Sequence, residues 1–134
     1  MLDDFLSYQA KTTPHPLGLE IKRAKGSYII DQNGKKYLDF IAGVSACSLG
    51  HRHPAVVRAM KRQINRYMHV MVYGEYVQSP AVELCKLLAK HLPSLLEVTY
   101  LTNSGTEAIE GAMKLAKRVT GKSGFIAAKN AYHG

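Results

Sequence analysis

Tyr100-Leu101-Thr102-Asn103-Ser104-Gly105-Thr106-Glu107-Ala108 turns a short apolar run into the start of a helix through a small, glycine-containing loop. Ser104 and Glu107 have the spacing of a capping box, in which the serine oxygen accepts from the Glu107 N–H and the carboxylate reaches back. With Ser104 as N-cap, the N–H groups of Gly105 and Thr106 have no acceptor inside the helix, and the helix dipole places partial positive charge beside them. Glycine lets an anion approach the backbone closely, and the hydroxyls of Ser104 and Thr106 offer two more donors. The loop therefore reads as a candidate phosphate cradle. A capping box by itself is common, and alone it would describe a well-closed helix that binds nothing.

Other blocks give the loop its context. Y-I-I-D-Q-N-G-K-K-Y-L-D-F-I-A-G-V-S-A-C-S-L-G-H-R-H-P occupies 28–54, N-S-G-T-E-A occupies 103–108, and Y-H-G occupies 132–134. Together, in this order and at this spacing, they resemble the class III aminotransferases, pyridoxal-phosphate enzymes of the fold-type I group. The resemblance implies an α/β fold. Residues 1–55 would be an N-terminal arm and the small antiparallel sheet of the small domain. Residues 56–134 would begin the large domain, with its mixed, mostly parallel sheet. In relatives the S-G-T block holds the cofactor phosphate, which carries over to Ser104, Gly105 and Thr106, and the aromatic of Y-H-G stacks on the pyridine ring, which carries over to Tyr132. The segment Gly43-Val44-Ser45-Ala46 lies where relatives line the substrate pocket, so Val44 is the candidate substrate residue. Its apolar side chain is more like the acetylornithine and 4-aminobutyrate branches than the ornithine branch, which has a tyrosine at that place.

The resemblance also implies a chain several times longer, and we expect this one to be a fragment. The lysine that forms the Schiff base and the aspartate that pairs with the pyridine nitrogen would follow Gly134, so no catalytic residue is assigned here. Lys114, Lys117 and Lys122 match no such position, and a solvated lysine with a pKa near ~10.4 is a poor nucleophile. The implied reaction is transamination, moving an amino group from an omega-amino or ornithine-type donor to a 2-oxo acid, usually 2-oxoglutarate. The implied assembly is a homodimer with the active site at the interface. There the loop Met71-Val72-Tyr73-Gly74-Glu75-Tyr76 would reach the partner, with Tyr73 and Tyr76 as interface candidates and ordinary packing as the alternative.

Composition bounds the remaining choices. The 134 residues, 46% of them hydrophobic, are enough for one ordinary domain with a core. No apolar run approaches the ~20 residues of a spanning helix. The acidic start Met1-Leu2-Asp3-Asp4-Phe5 is unlike a secretory signal, and we expect a cytoplasmic protein with no membrane partner. Cys47 and Cys85 read as reduced, buried thiols.

Periodicity supplies the elements. Leu2, Phe5, Leu6 and Gln9 predict a short amphipathic arm that ends at Pro14-His15-Pro16. Strands are expected over 19–24, 27–30 and 35–40, the last two joined by the Asp31-Gln32-Asn33-Gly34 turn. A helix is expected over 54–69, with Val57, Met60, Ile64 and Tyr67 on one face. A second begins at Ser79-Pro80, turns Val82, Cys85, Leu88 and Ala89 inward and stops near His91-Leu92-Pro93. The cradle helix covers about 105–120, between strands at 98–101 and 125–128.

Three competing readings fall away. Lys+Arg 18 against Asp+Glu 10 gives a net charge of +8, and Arg52, Arg58, Lys61, Arg62 and Arg66 crowd one segment. That basic face lies opposite the apolar one and has no aromatics to stack on bases, so nucleic acid is not expected as a partner. Ala116-Lys117-Arg118-Val119-Thr120-Gly121-Lys122-Ser123 resembles a loose P-loop, but it ends a helix where a P-loop must open one. His51 and His53 lack a third ligand, so no metal is expected. The resemblance gives G-H-x-H-P a structural role, and His133 reads as a packing residue beside Tyr132. The alternative function at this length is a non-catalytic phosphate- or nucleotide-binding module.

Overall fold

In the computed structural model, which describes residues 1–71 and 73–133, contacts divide the chain into two units, Met1–Val72 and Tyr73–Gly134. Val72, in the expected interface loop, and Gly134, the last residue of the Y-H-G block, lie outside the described residues.

The first unit opens with helix α1 (Leu2–Tyr8), whose first-turn Asp3 and Asp4 suit the positive end of the helix dipole. The Leu2 N–H donates to Glu20 Oε1 at 3.0 Å, which ties the arm to the chain before the sheet. Strands β1 (Ile21–Lys25), β2 (Tyr28–Asp31) and β3 (Lys36–Leu38) then form an antiparallel sheet in that order. Lys25 pairs with Tyr28 across the Gly26-Ser27 hairpin, Ile29 faces Tyr37, and a register irregularity separates Ile21 from Arg23. Ile30 and Asp31 are the buried residues among those described.

Asp31 builds the second turn. Its Oδ1 accepts from the N–H groups of Asn33 and Lys35 at 2.9 Å each, and its Oδ2 accepts from the Tyr37 hydroxyl at 2.9 Å. Gly34 takes the left-handed conformation there, with a φ of 85°, and Asn33 does not. Gly34 of the Asn-Gly pair supplies the positive φ, and the Asp31 carboxylate organises the rest of the turn.

Helix α2 (Pro54–Ile64) starts on proline at its first position, as expected, but ends five residues before 69. The Arg66 and Tyr67 N–H groups both donate to the Gln63 carbonyl, and the Gln63 side-chain amide donates to the Tyr67 carbonyl at 3.0 Å. The tightened turn and the borrowed amide satisfy groups that another helical turn would have used. Val57 and Tyr67 are half-buried, while Met60 and Ile64 stay exposed.

The second unit holds helix α3 (Ser79–His91) and helix α4 (Gly105–Thr120). On α3 the half-buried residues are Ala81, Cys85, Leu88 and Ala89, and Val82, expected inward, is 44% exposed. Gly121 closes α4 with a φ of 68° and an N–H donated to the Lys117 carbonyl, the usual left-handed helix stop. The segments 98–101 and 125–128 are not strands. A strand exists only through its ladder, and among the described residues the sheet pairs β1, β2 and β3 with one another alone. Val98 and Ile126 are accordingly open to solvent.

Candidate functional site

The expected cradle forms at the start of α4. Ser104 is the N-cap with extended backbone (φ −147°, ψ 160°), and its Oγ accepts from the Glu107 N–H at 3.2 Å. Glu107 reaches one residue further back than a standard capping box, so its Oε2 accepts from the Asn103 N–H at 2.8 Å. The Thr102 hydroxyl donates to the Ser104 carbonyl at 3.2 Å and stiffens the approach. The N–H groups of Gly105 and Thr106 find no acceptor among the described residues, and both residues are exposed. Two free donors, the positive end of a 16-residue helix and the free hydroxyl hydrogen of Ser104 fit a phosphate group.

Tyr132 lies in the same unit, past the turn at Lys129-Asn130, and is 94% exposed. Val44 belongs to the other unit and is 86% exposed. The structure thus assembles Ser104, Gly105 and Thr106 through one helix start and leaves the Tyr132 and Val44 side chains largely exposed. Among the described residues no group of three or more His, Cys, Asp or Glu is placed to hold a metal ion. Among the described residues no helix is long and apolar enough to cross a membrane.

Around Val44 the structure adds what periodicity missed. Ala42, Gly43, Val44 and Ser45 have φ values of 49°, 61°, 55° and 67°, four consecutive residues in the left-handed region. For a non-glycine residue this costs about 1–2 kcal/mol, and a β-branched valine is least at ease there. Asp39 offsets that cost. Its Oδ1 accepts from the Ile41 and Ala42 N–H groups at 3.0 Å each, and its Oδ2 lies 2.6 Å from His51 Nε2. The His51 hydrogen bond first, then the Ala42 and Ile41 N–H groups, outweigh burial and hold the Asp39 carboxyl below its usual range. An ionised Asp39 only accepts, so His51 Nε2 carries the proton and donates it. His51 is in turn fixed by its backbone, whose N–H and carbonyl pair with the carbonyl and N–H of Gly26 at 2.8 and 2.9 Å. The D-F and G-H letters were visible in the sequence, but only the closed loop shows that they meet.

The profile of the family described as aminotransferase class-III matches residues 8–134. The chain belongs to the class III aminotransferases. It is 44% identical to the acetylornithine aminotransferase of Bacillus subtilis (strain 168) over 117 residues, 87% of this chain and 29% of that protein. The acetylornithine aminotransferase of Bacillus amyloliquefaciens is also 44% identical, over 87% of this chain and 49% of that protein. Among solved structures, the adenosylmethionine-8-amino-7-oxononanoate aminotransferase of Methanocaldococcus jannaschii superposes with a TM-score of 0.87 at 28% identity, covering 99% of this chain and 33% of that one. This class III chain therefore has the α/β, fold-type I architecture expected of it, and it spans half or less of the length of these relatives.

Proposed function

We propose that the enzyme carrying this class III segment is a pyridoxal-phosphate-dependent transaminase. It would move an amino group from an omega-amino or ornithine-type donor to a 2-oxo acid, with 2-oxoglutarate as acceptor. The observation that carries this reading is the pair of unclaimed N–H groups at Gly105 and Thr106, set at the start of a capped helix in a chain of this family. The names of the acetylornithine aminotransferases support the donor class.

In this reading Ser104, Gly105 and Thr106 hold the phosphate, Tyr132 stacks on the ring, and Val44 lines the donor site. When bound, the cofactor supplies the electron sink for exchanging the amino group. This segment anchors and orients. Each charge-assisted hydrogen bond to the phosphate contributes about 1.5–3 kcal/mol, and fixed anchoring keeps the reacting atoms in register. No catalytic lysine is assigned within residues 1–134. The domain boundary at 55/56, a homodimer with Tyr73 and Tyr76 near the interface, and a cytoplasmic location belong to the same proposal.

Gly105→Pro tests the cradle. Proline is tolerated at the first helical position, so the helix survives while one phosphate donor is lost. In the full-length enzyme we expect cofactor affinity, measured by equilibrium titration, to fall about tenfold or more. Unchanged affinity would remove the cradle role.

A further inference from the structure

The loop from Asp39 to His51 is held in an unusual way. Its turn at Ala42–Ser45 is left-handed throughout, and Phe40, Ile41 and Val44 are exposed. Beside it is a cavity of about 190 Å³ lined by Gly26, Asp39, Ala42, Cys47, Gly50 and His51. Packing therefore does not clamp the turn. Besides the turn's own backbone hydrogen bonds, what closes it are hydrogen bonds that converge on one carboxylate: two from the backbone at Ile41 and Ala42, and one from the His51 ring. Both partners are well covered, with the Asp39 side chain 6% exposed and that of His51 19%. The Ile41 carbonyl accepts from the Ser45 N–H, and the Ala42 carbonyl accepts from the Cys47 N–H at 2.8 Å, so the turn propagates whatever geometry Asp39 imposes at its start.

We propose that the Asp39–His51 pair is a positioning device for the amino donor: it holds Ala42–Ser45 left-handed and thereby fixes where the Val44 side chain stands. The inference rests on the reading of Val44 as a donor-site residue. A left-handed turn of non-glycine residues is strained, so a turn that loses its anchor relaxes toward ordinary backbone and carries the Val44 Cβ elsewhere. His51 acts through Asp39 and touches no reacting atom.

The test uses the full-length, cofactor-loaded enzyme with acetylornithine as the donor probe. His51→Ala is expected to raise KM for acetylornithine about tenfold while kcat changes by less than about threefold, as loss of one charge-assisted hydrogen bond acting on donor placement requires. His51→Gln, whose amide can still donate to Asp39, restores KM. Asp39→Asn keeps an acceptor for Ile41 and Ala42 and gives a smaller rise in the same direction, which serves if the alanine variant does not fold. Limited elastase digestion of the cofactor-free enzyme supplies a readout independent of activity. Cleavage within residues 41–47 is expected to accelerate in His51→Ala and to return to normal in His51→Gln.

Unaltered cleavage overturns the inference, and so does a fall in kcat with KM unmoved, which marks a merely structural role. Val44→Ala separates the remaining outcomes. If cleavage accelerates but only Val44→Ala moves KM, the pair does not position the donor and the Val44 reading stands. If neither variant moves KM, the Val44 reading fails and the inference fails with it.

Discussion

Gly50 has a φ of 81°, and a Cβ placed there would stand 3.1 Å from the Gly26 carbonyl oxygen. It is the residue whose identity the His51–Gly26 pairing most requires, because the two backbones meet where a side chain would stand. Gly50→Ala should destabilise the full-length enzyme by about 2 kcal/mol from the left-handed conformation and the tight contact together, read from the urea midpoint. Two carboxylates predict the acid behaviour. Burial raises the Asp31 pKa, but bonds from Tyr37, Lys35 and Asn33 outweigh it, and both Asp31 and Asp39 end below their ordinary 3.8. The unfolded chain thus binds protons at a pH where the folded chain does not. The stability these groups contribute is full above 3.8 and is lost as the pH falls through their lowered folded values. Asp31→Asn and Asp39→Asn should each flatten the loss of stability between about pH 4 and about pH 2, followed by urea denaturation. A slope equal to that of the unaltered protein would contradict the assignment. The Asp31 turn was visible as D-Q-N-G, yet its reliance on the carboxylate was not, because three donors converge on it only once β3 has paired.

Helix α4 shows which part of an element its own sequence determines. Ser104, Glu107 and Gly121 sit where the capping rules put them, and the helix runs over the expected span. Ser104→Ala should cost about 1 kcal/mol and speed amide exchange in the first turn of α4, with the C-terminal turn at Gly121 unchanged. Helix α2 was less legible. Its apolar spacing runs on to Tyr67, but a Gln63 side chain that bonds the Tyr67 carbonyl ends it at Ile64. The segments 98–101 and 125–128 have the composition of strands, and composition supplies no partner for a ladder. Four left-handed residues in a row were not legible at all in Ala42-Gly43-Val44-Ser45, since three of those residue types ordinarily avoid that region.

Over the described residues only Ile30 and Asp31 are buried, and within each unit no helix packs on another element. The apolar faces of α2, α3 and α4 are largely open. Residues 1–134 expressed alone should therefore bind a hydrophobic dye several-fold more strongly than the full-length enzyme and should unfold without a sharp transition. Weak dye binding together with a cooperative melt would show that these faces find cover within the segment itself. The hairpins and the capped helix that presents Gly105 and Thr106 were legible in residues a few positions apart, where local sterics and hydrogen bonding decide, and the family was legible in the order and spacing of the blocks at 28–54, 103–108 and 132–134. That Asp39 meets His51, that Gly26 and Gly50 touch, and that Val44 stands on a left-handed turn emerged with the folded chain. Those contacts join residues 12 to 24 positions apart, and closing such loops depends on how the intervening chain turns, which no local pattern specifies.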